Sequence, residues 1–337
     1  MTGTPGFRGV RLVGTGRAVP ERTLTNADLE KLMDTSDEWI VQRTGIRTRY
    51  ISDRARDESV SGLGTRALGL ALQAAGLSSA DLDLIICSTM TADMPCPPSA
   101  CLIAARVGNP GCGAFDINGA CCGFVFGLNV AHEMVRGGTY KTVALIGADT
   151  LSALQTYTTA GRGTAIIFGD AAGVAIFRAD PNPSLGIIAQ SMHTDGTGWK
   201  DIYVPRCKYD APPGVELPES AFGHVQMNGA GVFKFAVGTF PKLIQETLDK
   251  AGVQAADVDM YVCHQSNARI LRAARERFNL DESKLYVNID RYGNTVAASI
   301  PLCLDELVRS GRVKPGHKVM FLGFGGGLTW GSSLWQF

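Results

Sequence analysis

Ala80-Asp81-Leu82-Asp83-Leu84-Ile85-Ile86-Cys87 recurs in altered form as Ala256-Asp257-Val258-Asp259-Met260-Tyr261-Val262-Cys263, a separation of 256 − 80 = 176 residues. Ala75-Gly76 returns at the same distance as Ala251-Gly252, and Val143-Ala144-Leu145-Ile146-Gly147 returns as Val319-Met320-Phe321-Leu322-Gly323. Agreement of separate segments at one offset argues for a duplicated supersecondary unit. In each copy an amphipathic stretch (65–76 and 241–252) closes on Ala-Gly, the pattern of a helix with a glycine stop. A short polar turn then leads into an apolar run of strand length, 82–88 and 258–264. Helices alternating with such runs predict a layered α/β architecture whose central strands are covered on both faces. Residues 170–177 read as one more strand of the first copy, and the Pro-rich stretch from 178 to 225 as an irregular connection. The division is then 1–178, a connecting segment 179–225, and 226–337.

The totals exclude several classes of function. Lysine plus arginine and aspartate plus glutamate each number 32 in 337 residues, so no overall field draws nucleic acid or an anionic membrane. Hydrophobic residues make up 45% and charged residues 19%, an ordinary globular balance. The N-terminus carries no basic segment followed by an apolar one, which reads as a cytoplasmic protein. Nine cysteines occur without a C-x-x-C pair, so zinc-site spacing is missing and most should be small buried hydrophobes. No metal, flavin or nicotinamide site is expected.

One cysteine stands apart. In Asn118-Gly119-Ala120-Cys121-Cys122-Gly123-Phe124, a strand over 114–118 gives way to a tight turn and a helix reaching 134. Cys121 would sit near a helix N-terminus, where unpaired N–H groups favour an anion and a lowered thiol pKa would help nucleophilic attack. Cys122 projects about 100° away and reads as a packing residue. Cys263-His264-Gln265-Ser266-Asn267 ends the second apolar run with a histidine, and Gly293-Asn294-Thr295 adds a carboxamide. Under the 176-residue offset Cys121 falls opposite Ala297, so the thiol belongs to one copy and the histidine and Asn294 to the other. A site at the pseudo-twofold interface follows.

These motifs do not stand alone. With Thr35-Ser36-Asp37-Glu38-Trp39-Ile40, Arg43-Thr44-Gly45-Ile46, Gly161-Arg162-Gly163-Thr164, Ile167-Phe168-Gly169-Asp170 and Phe324-Gly325-Gly326-Gly327-Leu328-Thr329-Trp330-Gly331, the chain resembles β-ketoacyl-[acyl carrier protein] synthase III almost end to end. That resemblance implies a thiolase-like fold, an α/β arrangement of two pseudo-symmetric halves in five layers, α-β-α-β-α. It implies an acyltransferase that initiates fatty-acid synthesis by decarboxylating condensation of an acyl-CoA primer with malonyl-[acyl carrier protein]. Acyl-CoA is then a substrate, and no cofactor is implied. By motif, Cys121 would be the acyl-accepting nucleophile and His264 and Asn294 its partners, with the N–H groups of Cys121 and Gly326 holding the oxyanion. Trp39 and Arg162 would sandwich the CoA adenine, and Arg43 would lie near its phosphates. Lys234, Arg269 and Arg272 would meet the acidic carrier protein.

The family is a homodimer in which a phenylalanine often reaches into the partner's acyl pocket. Cys96 stands there in this chain, predicting a roomier pocket and primers longer or more branched than acetyl. Gly161 replaces an aspartate common before the arginine, which bears on how Arg162 is held. Two other readings share the motifs: an acyltransferase or secondary-metabolite (polyketide) condensing enzyme, and an idle homologue acting as a partner. The intact Cys, His and Asn argue against the last. Papain-like hydrolases also combine Cys, His and Asn, but their nucleophile motif and chain length do not match.

Overall fold

The computed structural model describes residues 7–337. Its first sheet contains β1 (Gly9–Ala18), β2 (Leu84–Ser88), β3 (Gly113–Ile117), β4 (Thr142–Thr150) and β5 (Asp170–Asp180), in the spatial order β1-β5-β4-β2-β3. The second contains β6 (Gly186–Thr194), β7 (Met260–Cys263), β8 (Lys318–Gly325) and β9 (Thr329–Gln336), in the order β7-β8-β9-β6. The four strands β2-β4-β5-β1 and the four strands β7-β8-β9-β6 share one pattern of senses: a parallel pair, then two antiparallel steps. Register repeats as well. Leu84 faces Val143 as Met260 faces Val319, and Cys87 faces Ile146 as Cys263 faces Leu322, all 176 residues apart.

The helices that position the site and cover the sheets include α1 (Asp37–Thr44), α2 (Val60–Ala75), α3 (Gly123–Arg136), α4 (Gly229–Ala251), α5 (Ala268–Arg277) and α6 (Ser299–Arg309). α3 and α6 lie between the sheets and touch strands of both, while α2 packs on the first sheet and α4 on the second. The central core joins Leu84, Ile86 and Val143 of the first sheet to Val262, Val319 and Phe321 of the second, with Phe124, Leu128, Ile300 and Leu304 between them. Separate apolar clusters fill the outer layers under α2 and under α4 with α5. This is the five-layered α-β-α-β-α arrangement. Every residue of β2 and of β7 is buried, which explains why both read as unbroken apolar runs.

Two expectations are corrected. Residues 178–225 are not wholly irregular: β6 lies inside that stretch and pairs antiparallel with β9, as β1 pairs with β5. As an edge strand with a mixed burial pattern it lacks a continuous apolar signature. Helix α4 begins at Gly229, capped by the Asn228 side chain, and carries Pro241 in its interior rather than at its start. Proline favours first-turn positions, but here buried Ala236 and Phe240 continue the apolar stripe upstream of it.

Two glycines let the halves approach. A Cβ on Gly147 would meet the Ala297 carbonyl oxygen at 2.3 Å, and one on its counterpart Gly323 would meet the Cys122 Cα at 3.2 Å. Each half therefore lays a strand glycine against the turn that opens the other half's central helix.

Candidate active site

The two central helices start alike. Beyond β3, the Asn118 Oδ1 accepts the Ala120 N–H at 3.1 Å, Ala120 takes φ 46°, and a 3-10 turn Ala120–Cys122 runs into α3. In the second half the Asn294 Oδ1 accepts the Val296 N–H at 2.9 Å, Val296 takes φ 52°, and a turn Val296–Ala298 runs into α6. Positive φ is uncommon for alanine and a marked outlier for a β-branched valine. Such backbone persists where the surroundings over-determine it, often at functional sites. At Asn294 they do. Its N–H donates to the Ile167 carbonyl at 2.9 Å and its own carbonyl accepts from Gly169 at 3.0 Å. Buried Asp149 adds a further tie, accepting the Ala297 N–H at 3.1 Å while its other oxygen takes donors from Thr89, Met90 and Thr91.

Cys121, His264 and Asn294 line one cavity of about 440 Å3, together with Phe168, Phe324, Gly325 and Gly326. A Cβ on Gly325 would come within 2.7 Å of the Cys121 Cβ, so only glycine lets β8 end against the nucleophile. Cys122 is wholly buried in the central core, consistent with a packing role. Because the Asn294 oxygen is engaged by Val296, its two amide hydrogens are the groups left for the cavity. The Cys121 N–H and the Asn294 side chain both act to lower the thiol's pKa.

The electrostatics differ from expectation. Burial pushes the Cys121 thiol up to about 12, and the nearby Asp149 charge adds to the shift; the Cys121 N–H and Asn294 oppose it without overcoming it. Burial likewise presses the His264 imidazole down to about 3. The resting site is a neutral thiol beside a neutral imidazole, not an ion pair. Residues at a helix start are favoured as anions only while water or counter-charges offset desolvation, and here 7% exposure of Cys121 decides the contest.

The cavity mouth carries cations and aromatics. Trp39, on α1, has the Arg43 guanidinium 4.6 Å and the Arg162 guanidinium 5.2 Å from its ring centroid. A flat base between two planes needs roughly 7–8 Å, so Arg162 must swing aside for an adenine to enter. Arg162 is held by the Asp34 carbonyl at 2.6 Å, with the Asp34 carboxylate 3.5 Å away, which supplies a partner that Gly161 cannot. Arg269 lies at the mouth beside Arg43, 5.1 Å from the Phe233 ring, and Lys234 is exposed next to Phe233 on α4. Arg272 does not join them. It faces a separate hollow with Arg275, Glu282, Tyr286 and Arg312. Cys96 is exposed and does not line the cavity of its own chain.

Sequence reasoning missed the walls around the thiol, where Leu151, Val225 and Val296 pack with Met90, Leu154, Ile202 and Val204. It also missed Ser299, whose Oγ lies 2.7 Å from the His264 Nδ1. The fixed offset carried a signal for both Asn118 and Ser299, which fall opposite Asn294 and Gly123. Among the described residues no group of three or more His, Cys, Asp or Glu side chains could hold a metal ion.

Family models for 3-oxoacyl-[acyl-carrier-protein] synthase III match residues 115–196, and for its C-terminal region residues 248–337. A β-ketoacyl-[acyl-carrier-protein] synthase III of Xanthomonas campestris is 43% identical over 327 residues, 97% of this chain and 98% of that protein. The chain belongs to the 3-oxoacyl-[acyl-carrier-protein] synthase III family. It is a thiolase-fold condensing enzyme that transfers acyl groups in the initiation of fatty-acid synthesis. The crystal structure of the synthase III from Aquifex aeolicus superposes with a TM-score of 0.89 at 38% identity, covering 98% of this chain and all of that one. The priming β-ketosynthase of the R1128 polyketide biosynthetic pathway superposes with a TM-score of 0.88 at 33% identity, covering 98% and 97%.

Proposed function

We propose that this synthase III condenses an acyl-CoA primer with malonyl-[acyl carrier protein] through Cys121, His264 and Asn294. Cys121 Sγ attacks the primer thioester carbonyl, the C–S bond to CoA breaks, and the thiol proton ends on the departing CoA sulfur. The transient oxyanion is met by the Cys121 and Gly326 N–H groups. Malonyl on the carrier protein then loses carbon dioxide. The electron pair of the broken C–C bond moves into the thioester carbonyl, and His264 and Asn294 donate hydrogen bonds to the enolate oxygen. The carbanion attacks the acyl-Cys121 carbonyl and expels the cysteine sulfur as a thiolate, which takes one proton from water to restore the neutral thiol, giving 3-oxoacyl-[acyl carrier protein].

The Asn294 carboxamide carries this reading. With its oxygen bound to Val296 N–H, only donors face the cavity, the polarity that an enolate requires and a carboxylate would reverse. The neutral imidazole pressed down to about 3 fits the same role as a donor rather than a base. Trp39, Arg43 and Arg162 would hold CoA, and Lys234, Arg269 and Arg272 the carrier protein, whose association should weaken with salt. No cofactor enters the reaction.

We read the enzyme as a cytoplasmic homodimer. All nine cysteines are free, in keeping with a reducing compartment. β3 is a sheet-edge strand with no partner on its outer side among the described residues, which a second copy would cover. In that dimer Cys96 would border the partner's acyl pocket and admit long or branched primers. The likeness to a polyketide priming ketosynthase supports, as a second reading, priming in a specialised pathway. One assay tests the set: labelled acyl-CoAs of graded length are offered, the adduct on Cys121 is weighed by mass spectrometry, and carbon dioxide release is followed on adding malonyl carrier protein. An adduct without release would reject the condensation roles, and strict preference for acetyl would reject the role given to Cys96. Membrane spanning is not an alternative suggested by the helices: none of those described is long and apolar enough to cross a bilayer.

A further inference from the structure

We infer that Ser299 is a positioning residue that holds neutral His264 with its hydrogen on Nε2, the form able to donate to the enolate. This rests on the condensation reading above. A neutral imidazole has one donor and one acceptor nitrogen, so its task in the cavity is set by what faces the other nitrogen. Ser299 Oγ stands 2.7 Å from Nδ1, and both residues are buried from solvent that could substitute. The hydroxyl has one hydrogen and two acceptors within reach, Nδ1 and the Val296 carbonyl at 3.0 Å. That carbonyl already accepts the Ser299 N–H, because the turn Val296–Ala298 ends there. The Gln265 N–H approaches the Ser299 Oγ at 3.4 Å from its acceptor side. The hydroxyl can donate to either acceptor, but the carbonyl is already satisfied by an N–H while Nδ1 has no other donor facing it. With the hydroxyl hydrogen assigned to Nδ1, that nitrogen is the acceptor and the ring hydrogen lies on Nε2. Without Ser299 the ring would face only the Val296 carbonyl, an acceptor that favours hydrogen on Nδ1 and leaves Nε2 bare.

The duplication supports a dedicated role. Ser299 and His264 occupy the places of Gly123 and Ser88 in the first half, at the common offset of 176 residues. A Cβ at Gly123 would stand 2.2 Å from the Ser88 Oγ, so that half has no room for a hydroxyl there and has no imidazole to orient.

The two half-reactions separate this role from a structural one. In Ser299→Ala, carbon dioxide release from malonyl carrier protein should fall roughly 10- to 100-fold, while acyl transfer to Cys121 stays within a few-fold of wild type. Ser299→Cys, which retains a weak donor, should recover part of the loss. Nitrogen-15 spectra of histidine-labelled protein should show hydrogen on Nε2 in the wild type and on Nδ1 in Ser299→Ala. Equal loss of both half-reactions, or hydrogen on Nδ1 in the wild type, overturns the inference. Failure of the underlying function looks different: wild-type protein would release no carbon dioxide and His264→Ala would change nothing.

Discussion

The first and second halves share strand order, register, helix caps and even an outlying backbone angle, yet only their combination makes a catalyst. At the turn that opens each central helix, Asn118 matches Asn294, Ala120 matches Val296 and Cys121 matches Ala297. One asparagine closes a turn and does no more, exposed on the surface. The other closes the same turn while buried and lines one cavity with the thiol of the opposite half. Duplication supplies two equivalent strained turns facing each other across the interface. Divergence then assigns nucleophile to one and donors to the other, so neither half repeats the other's chemistry.

The harshest way to break this division is Cys121→Ala, which makes the first turn read like the second. Turnover should drop by roughly 10⁴-fold or more, with no acyl adduct detectable by intact mass. A sharper comparison applies one substitution to both halves. Asn294→Asp keeps the oxygen that closes the turn but replaces the donors with charge, and decarboxylation should fall roughly 10²- to 10³-fold. Asn118→Asp keeps the same turn bond and should change either half-reaction only a few-fold; similar losses at both sites would refute the asymmetry.

The interface glycines offer a smaller contrast. Gly147→Ala drives a methyl into the Ala297 carbonyl and should cost about 1–3 kcal/mol in urea unfolding. Gly323→Ala meets its nearest atoms at 3.1 to 3.3 Å and should cost less.

Acid stability separates the halves through His264, whose counterpart is Ser88. Its folded pKa lies below the unfolded value, so its contribution is present above about pH 6.5 and is lost as pH falls toward about 3. Each unit in that window removes up to about 1.4 kcal/mol, and His264→Ser should flatten that limb in unfolding measured from pH 7 to 4. Finally, with the thiol pushed up to about 12, alkylation of Cys121 by iodoacetamide should keep rising beyond pH 9, where an exposed thiol of pKa about 8.5 levels off.

Much of this arrangement was legible in the chain. Repetition at a constant spacing gave the two halves, because buried central strands tolerate little but large apolar residues and so preserve a readable run. β6 escaped since an edge strand with one exposed face keeps no such run, and α4 was cut short because an interior proline imitates a helix start. Cys121, His264 and Asn294 were nameable from motif, and Trp39, Arg43 and Arg269 proved to gather at one mouth. Arg272 did not: although i and i+3 share a helix face, it lies a turn further along α5 and lines another hollow with Arg275 and Arg312.

Residue order alone therefore determined the duplicated architecture and which side chains are chemically able to act. Packing decided the rest: that the thiol and imidazole are neutral, that the Asn294 oxygen is spent inside its turn, and that Ser299 faces the ring. Those properties depend on desolvation and on side-chain orientations set by the packed fold, even where the partner is as near as Val296 is to Asn294, and spacing along a chain does not encode them.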